Sequence, residues 1–576
     1  MINDVVLNDL VLRDGVWTLA KSFEFKYSDG EGYEKTIRNV LENASDLSSD
    51  SIELDAECKD WTSTYHLSSS RKALIEALVF DANSDVLEVG CGCGAITRYL
   101  GERFTSVVAI EGGAARADLA RRRTRGQDNV HIINAPFQDV IFKKKFDLIF
   151  CIGVLEYSRM FVASENPYKK MLSIFRNLLH ENGVLVVAIE NQFGLKYFSS
   201  SKEDHTHQMF DGIEGYRRMR NSARTFGLGE LEGLIRSEFE YVEAIFPFPD
   251  YKFPSCIVRK EALNELDCSE LISYHYRDKI GNPATRMPIF NDQFVLAELS
   301  RNQLIDVFAN SFLFLASPEE LTDKGLTELG VFFNNDRKKH LRTKTVLVKD
   351  REGYFVKKSL LNQNRSQRTE NFELSGVISD WHQGKSLNFI LIALMQADRL
   401  DLNLFNQYVL RWLSRIKLES YCKADQYFVP GKFIDAIFRN VIVEDEKLHL
   451  IDQEWRFKSD VQIETLFIRA IWHFISELMI LGSFRHLGLI GTKKSFIVRL
   501  AHVCGLELRD EHWERFFIIE RLFHEETRLL NAGITRLSFS DASWPIIVFA
   551  LKSIMGKYIR ELIQSSKDVV SRLRSW

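Results

Sequence analysis

With 576 residues, 45% of them hydrophobic and 27% charged, the chain has room for three or four ordinary domains and enough apolar side chains to core each. A formal net charge of -4 gives no reason to expect nucleic acid as the main partner. Only 10 prolines argue against long disordered linkers, and 8 scattered cysteines suit a reducing cytoplasm.

Residues 1–60 alternate apolar and polar at Val5-Val6-Leu7, Val16–Leu19 and residues 23–27, then turn acidic and serine-rich. The pattern predicts a small β-rich extension and a mobile connector. With Asp4, Asp9 and Asp14 it does not read as a signal peptide, and no apolar run in the chain reaches membrane-spanning length. Residues 61–71, WTSTYHLSSSR, supply good N-cap residues for a helix predicted at 72–80.

Residues 85–97 read DVLEVGCGCGAIT. An apolar run passes into Gly90-Cys91-Gly92-Cys93-Gly94, and an amphipathic segment follows from Ala95 to about Arg103. This is a buried strand, a tight glycine turn and a helix start. Glycines let the backbone approach a ligand, and a helix start offers unpaired N–H groups. No second pair accompanies Cys91 and Cys93, so both read as small structural side chains rather than metal ligands. Residues 107–110 form a second buried strand ending in Glu111, where nucleotide-binding α/β units place an acid on the ribose. A strand at 130–133 leads into Asn134-Ala135-Pro136-Phe137-Gln138-Asp139, a loop fit to hold an adenine edge. Phe146–Ile152 is a fourth strand and opens into Gly153-Val154-Leu155-Glu156. The alternation predicts a mostly parallel sheet with its ligand at the strands' carboxyl ends.

The stretches LEVGCGCG, VVAIEG, NAPFQD and FDLIFCIGVLEY resemble the class I S-adenosylmethionine (SAM) dependent methyltransferases over roughly residues 61–254. An acid followed by G-x-G-x-G favours SAM over NAD. The resemblance implies that Glu88, Gly90, Gly92 and Gly94 surround the methionine part of SAM. It implies that Glu111 binds the ribose, that Phe137 and Gln138 frame the adenine, and that Gly153 joins the cofactor site. Tyr65, His66 and Arg71, just ahead of the first strand, become candidates to hold the SAM carboxylate, a capped helix with a solvated arginine being the alternative.

An amphipathic helix is predicted at 171–182, stopped by Gly183, and then a strand at 184–189 ending in Glu190-Asn191-Gln192. The polar stretch 196–216 holds Glu203, Asp204, His205, His207, Asp211 and Glu214 and reads as a lid or substrate loop. Methylating a sugar hydroxyl needs a base beside the acceptor. His205 has the best intrinsic pKa for that role, and Glu190 sits at a strand's carboxyl end; exposed loop charges are the alternative. YHLSSSR, IENQFGLKYF, DGIEGY and FPFPDY resemble methyltransferase modules of bacterial surface-polysaccharide enzymes, which are often fused to a second catalytic domain. The implied acceptor is a bacterial surface glycan or a lipid-linked glycan. A methyltransferase domain is thus expected at 61–260, and the mixed stretch 261–327, with a buried strand at 308–315, reads as a linker or boundary.

In the second half a hairpin pattern starts near Val331, with strands at 331–333, 345–348 and 354–360 and a turn at Asp350-Arg351-Glu352-Gly353. Further on come Asp435-x-x-x-x-Asn440, a strand, a turn at 444–447, a second strand and Asp452-Gln453-Glu454. That order resembles the catalytic loop and metal-binding segment of protein-kinase-like folds, here over 328–460. The resemblance implies Asp435 as the base that orients a hydroxyl, and Asn440 and Asp452 as Mg2+ ligands. It puts Lys357 on the phosphates of ATP, with Lys358 as the rival, and Glu370 or Glu373, on a following helix, as that lysine's partner. H-R-D, D-F-G and a glycine-rich loop are missing, and Glu454 adds a carboxylate where D-F-G has none. A hairpin with surface acids, or a kinase fold that no longer transfers phosphate, stays open.

Together the halves resemble the bifunctional kinase–methyltransferases that terminate bacterial O-antigen chains, in which a kinase phosphorylates the last sugar and a methyltransferase caps the phosphate. A phosphate acceptor, already anionic, would demote His205 to a binding role. Residues 461–576 read as a helical lobe and C-terminal helices, with Trp472, Phe474, Ile475, Leu478 and Met479 on one buried face. The amphipathic stretch 544–576 suits docking on a membrane surface, a polysaccharide synthase or another partner, or packing in the core. The expected fold class is an α/β Rossmann-like methyltransferase sheet, an α+β kinase-like domain and a helical C-terminal region. The expected location is the cytoplasm, free or at the inner face of the membrane.

Overall fold

Runs of Val, Ile and Leu too apolar for either face to meet water build the centre of the first half. The computed structural model of the protein describes residues 5–21, 23, 25, 30–217, 222–276, 290–334, 337–361, 368–480 and 491–528. The chain divides into two units, Met1–Ile289 with Glu298–Phe333, and Phe290–Ala297 with Asn334–Trp576.

The first unit is built on β1 (Leu10–Arg13), β2 (Val16–Leu19), β3 (Asp85–Val89), β4 (Ser106–Glu111), β5 (Val130–Asn134) and β6 (Phe146–Ile152). It continues with β7 (Leu179–Glu190), β8 (Tyr241–Phe248), β9 (Cys256–Arg259), β10 (Ser311–Ser317) and β11 (Gly330–Phe333). Their order in the sheet is β1-β2-β5-β4-β3-β6-β7-β10-β8-β9-β11. From β5 to β7 every neighbour is parallel, whereas β10 runs antiparallel to both β7 and β8. This is a Rossmann-like α/β fold with a mixed sheet. After β3 the chain steps outward to β4 and β5, then returns to the other side as β6 and β7. Loops leaving the carboxyl ends of β3 and β6 therefore diverge and open a crevice there.

Three sequence expectations change in this unit. The expected strands appear within the first 60 residues as β1 and β2, but helices occupy described residues where a connector was expected. β2 pairs in parallel with β5, and helices at Glu31–Asn43 and Ile52–Ala56 bury Ile37, Leu41 and Leu54 in one cluster with Leu67 and Leu119. The predicted helix at 171–182 runs instead from Pro167 to Leu178, capped by the Asn166 side chain. Gly183 does not stop it, because Leu179 already pairs with Phe146 and the strand continues through Gly183. The stretch 261–327 does hold a boundary, since the units change over at Ile289/Phe290 and Ala297/Glu298, but its β10 is core and not linker: all seven residues are buried between β7 and β8, where apolar area removed from water outweighs sequence distance.

In the second unit β12 (Thr343–Lys349) and β13 (Tyr354–Leu360) form the expected hairpin, and β14 (Phe372–Leu374) follows. β15 (Val377–Asp380) adds a third strand to that hairpin. Then come β16 (Lys385–Ser386), β17 (Tyr421–Lys423), β18 (Gln426–Val429), β19 (Val441–Glu444), β20 (Lys447–Leu450), β21 (Trp455–Phe457) and β22 (Val461–Gln462). β16, β19 and β20 make one small sheet, and β14 pairs with β21. The helix expected to carry Glu373 is absent: Glu373 lies on β14 and pairs with Arg368. Helices at Leu387–Gln396, Leu402–Lys417, Ile463–Ile480, Lys493–Val503 and Asp510–Thr527 surround a core that includes Trp412, whose indole N–H donates to the Ala436 carbonyl at 2.9 Å. Trp472, Phe474, Ile475 and Leu478 are buried as expected. The stretch 544–576 lies outside the described residues. Among the described residues no helix is long and apolar enough to cross a membrane.

Candidate active site

At the crevice the chain makes a cavity of about 760 Å3. Its floor is the turn after β3. Gly90 and Gly92 have φ of 76° and 56°, and a Cβ on either would lie 2.4 Å from Val154 or 2.8 Å from Arg116. Only glycine therefore serves at both positions. Glu111, at the end of β4, pins this turn with both oxygens. Gly92 N–H donates to Oε2 at 2.8 Å and Gly113 N–H to Oε1 at 2.9 Å. Each oxygen keeps capacity for a second hydrogen bond, and Glu111 lines the cavity. Glu88 is buried beside the turn, and its Oε2 has no hydrogen-bond partner among the described residues. Burial lifts its carboxyl to about 7 despite Thr97 and Arg71. Arg71 stacks on the Tyr65 ring at 4.2 Å and donates to the Lys252 carbonyl at 2.7 Å.

The opposite wall is a network of buried charges carried by the 196–216 segment, the end of β7 and the loop after β8. Glu190 is fully buried. Its Oε1 accepts from Lys252 Nζ and, at 3.3 Å, from the Tyr251 hydroxyl, while Oε2 lies 3.4 Å from His205 Nε2. His205 Nδ1 sits 3.2 Å from the Tyr157 hydroxyl. Lys252 also meets Asp204 at 3.3 Å, and Lys196 meets Asp204 at 2.6 Å and Asp250 at 3.2 Å. Burial would raise the Glu190 carboxyl, but Lys252 and His205 overcome this and hold it well below its ordinary value. Burial would lower His205, yet Glu190 and Glu156 raise it to about 9. Glu156 is pushed up to about 8 by burial and by Glu190. The wall thus holds a chain of hydroxyl, imidazolium and carboxylate that can grip an anionic oxygen, or take a proton once the imidazole is neutral.

Of the residues singled out in the first half, Tyr65, His66, Arg71, Glu88, Gly90, Gly92, Glu111, Phe137, Gln138, Gly153, Glu190 and His205 all line the cavity. Gly94 does not. It caps the helix Ala95–Arg103, and a Cβ there would meet the Ala120 backbone at 2.8 Å, so its task is helix packing. The 196–216 segment does line the cavity, through Lys202, Glu203, Asp204, His205 and His207. It is no exposed lid, since Tyr197, Glu203, Asp211 and Tyr216 are buried. Sequence reasoning missed Lys252, whose position after a strand carries no pattern, and the roles of Glu156 and Tyr157, although both stand in the quoted stretch FDLIFCIGVLEY. It also missed Phe25, which stacks on Phe161 at 4.7 Å between ring centres on the cavity wall.

The second unit brings Asp435, Asn440 and Asp452 together. Asn440 Nδ2 donates to the Asp435 backbone at 2.9 Å and to its Oδ2 at 3.1 Å, and Gln453, beside Asp452, reaches the same backbone oxygen at 3.4 Å. Arg469 holds Asp435 Oδ1 at 2.9 Å and the Glu520 carboxylate at 2.6 Å. Lys357 is on the exposed face of β13, since alternate residues of a strand face opposite ways. Lys358 points to the acids instead: it pairs with Asp452 and, at 3.1 Å, with Glu454. Neither Glu370 nor Glu373 fills the partner role. Glu454 does so, and it is buried with a second cation, Arg337, against it. Burial would raise the Glu454 carboxyl, but Lys358 and Arg337 hold it below its ordinary value.

Residues 87–185 match a family model described as a methyltransferase domain. No curated protein matches the chain. Among solved structures, the N-methyltransferase NodS of Bradyrhizobium japonicum WM9 in complex with S-adenosyl-L-homocysteine is 16% identical, over 28% of this chain and 75% of that chain, with a TM-score of 0.20. A TehB-like SAM-dependent methyltransferase of Corynebacterium glutamicum is 16% identical, over 39% of this chain and 89% of that chain, with a TM-score of 0.24. A SAM-dependent methyltransferase of Clostridium acetobutylicum is 24% identical, over 24% of this chain and 56% of that chain, with a TM-score of 0.20.

Proposed function

From a first unit whose residues 87–185 match a methyltransferase-domain model, we propose that this protein moves a methyl group from SAM to an oxygen of a bacterial surface glycan. The observation that carries the reading is Glu111, tied by one loop amide on each carboxylate oxygen at the floor of the cavity. The lining fits SAM: a glycine cradle that no side chain could enter, an unpartnered buried Glu88 oxygen, and the aromatic Phe137 beside Gln138. Glu111 would take the ribose hydroxyls, and Arg71 with Tyr65 and His66 the carboxylate. When bound, SAM supplies an electrophilic methyl carbon. The chain's own residues hold the acceptor oxygen against it and manage that oxygen's proton.

Replacing Glu111 by Ala removes charged hydrogen bonds that contribute on the order of 1.5–3 kcal/mol. SAM affinity should fall by about tenfold or more, read by calorimetry. Unchanged affinity in a folded E111A protein would sink the assignment. The glycan acceptor rests on the resemblance of IENQFGLKYF, DGIEGY and FPFPDY to polysaccharide-modifying modules. Methyl transfer from labelled SAM into cell-envelope polysaccharide, and none into protein or small phenols, is the matching result.

For the second unit we read a kinase-like phosphotransferase that supplies a phosphate acceptor. Its support is the convergence of Asp435, Asn440, Asp452 and Lys358, which gathers hard oxygen donors of the kind Mg2+ takes. His205 held as a cation by Glu190 also suits an anionic acceptor. ATP with Mg2+ should raise the unfolding temperature of this unit, and D452A should remove that rise. No rise in the wild type favours the other reading, in which the second unit is a scaffold and the methyl goes directly to a sugar hydroxyl. The engagement of Asp435 by Arg469 and of Lys358 by two acids favours that alternative.

A further inference from the structure

Away from the acid cluster just described, the second unit groups two imidazoles and a carboxylate. Glu444 ends β19, His449 stands on β20, and His382 lies in the connector between β15 and β16. His382 Nδ1 is 3.1 Å from Glu444 Oε2, and His449 Nε2 is 3.8 Å from the same oxygen. One ligand atom from each of the three lies within 4.8 Å of the other two. The two rings stack face to face with centres 3.9 Å apart and planes 27° apart.

We propose that His382, Glu444 and His449 bind one divalent transition metal ion of the zinc class. The geometry explains features that a hairpin surface does not need. The other oxygen of Glu444, Oε1, accepts from the Gln383 backbone N–H at 2.7 Å, which orients the carboxylate and leaves Oε2 to the two rings. His382 is set in place by Gly384, two residues on, where a Cβ would lie 2.0 Å from the Val443 carbonyl oxygen. The chain can lie this close to β19 only with glycine there. His449 Nε2, at 3.8 Å from the carboxylate, is too far for a hydrogen bond. Around an ion about 2.0–2.2 Å from each ligand atom, tetrahedral neighbours stand about 3.4 Å apart, a value that lies between these two distances. The neutral ring is the form that ligates. Two histidines and one glutamate leave positions for water, and imidazole selects zinc, cobalt, nickel or copper over magnesium.

The ion would tie the β15–β16 connector to the β19–β20 hairpin. That hairpin begins directly after Asn440 and leads into Asp452, so occupancy would stiffen the segment that presents both residues.

The test uses the full-length protein, stripped with a chelator and titrated with Zn2+ and then with Co2+. Calorimetry should show one zinc per chain that is lost in the H382Q/H449Q double variant, and the Co2+ protein should show visible d–d bands that the double variant lacks. E444Q, which keeps the carboxamide in place, should weaken zinc by about tenfold or more, as loss of a charged ligand implies. E190Q should leave this binding unchanged, because Glu190 belongs to a second group of possible ligands with Glu156 and His205. Absence of stoichiometric zinc in the wild type overturns the proposal. So does zinc that survives in the folded double variant, and so does zinc lost only in E190Q.

Discussion

Replacing Lys252 by Met is expected to destabilise the first unit by about 3–5 kcal/mol, because it leaves buried carboxylates without their cation. The Lys252 ammonium has only 12% of its side chain exposed and stands against Glu190, Asp204 and Asp250. Glu190 has no exposed surface at all, so water cannot replace the lost charge. Lys196 remains beside Asp204 and Asp250, and the cost therefore falls mainly on Glu190. Two controls follow from the same physics. K252M/E190Q should recover much of the loss, since it removes the stranded charge together with its partner. K252M alone should become more stable as pH falls, because Glu190, freed from the cation that held its pKa down, can then bind a proton. Denaturant unfolding measures all three. A loss below about 1 kcal/mol, the size of an exposed pair, would show that this network is better hydrated than its burial implies.

The largest effect on activity is expected from His205→Gln. A group that places or removes a proton at the reacting oxygen contributes about 10²–10⁴-fold. Glutamine keeps a donor toward Glu190 and loses the charge. The pH profile then separates the two acceptors. The folded pKa of His205 is raised from 6.5 to about 9, so the folded protein carries the imidazolium through neutral pH and loses it as pH rises through about 9. If that charge grips a phosphate oxygen, wild-type methyl transfer falls as pH passes about 9, and H205Q lacks this limb. If neutral His205 must accept a proton from a sugar hydroxyl, transfer rises toward pH 9 instead. The same proton contributes stability that is present below pH 6.5 and lost over the same range. An H205Q protein as active as wild type at every pH would remove His205 from the chemistry and leave Tyr157 and Glu190 as a mere wall.

The sequence by itself determined the elements whose signals are local. The run from Asp85 to Val89, the turn through Gly90 and Gly92, Glu111 at the end of β4 and Phe146–Ile152 were legible because a buried parallel strand needs continuous apolar residues. The glycine turn announces itself because only glycine tolerates φ > 0 there without collision. The hairpin of β12 and β13 and the spacing of Asp435, Asn440 and Asp452 were readable for similar local reasons.

Tertiary structure alone decided the rest. Lys357 and Lys358 are equivalent in a sequence. Strand alternation and the position of β13 turn one to water and the other to Asp452 and Glu454. Glu454, rather than Glu370 or Glu373, became that lysine's buried partner because β14 pairs with β21 where a helix was expected. β10 stands 120 residues after β7 and still completes its sheet, since hydrogen bonding between strands takes no account of sequence distance. Lys252 acquires its meaning only from the carboxylates of β7 and of the 196–216 segment, three places that no local pattern connects. Burial then sets their charges, because a low-dielectric site makes each ionised group depend on its neighbours' charges, and those neighbours are chosen by the fold.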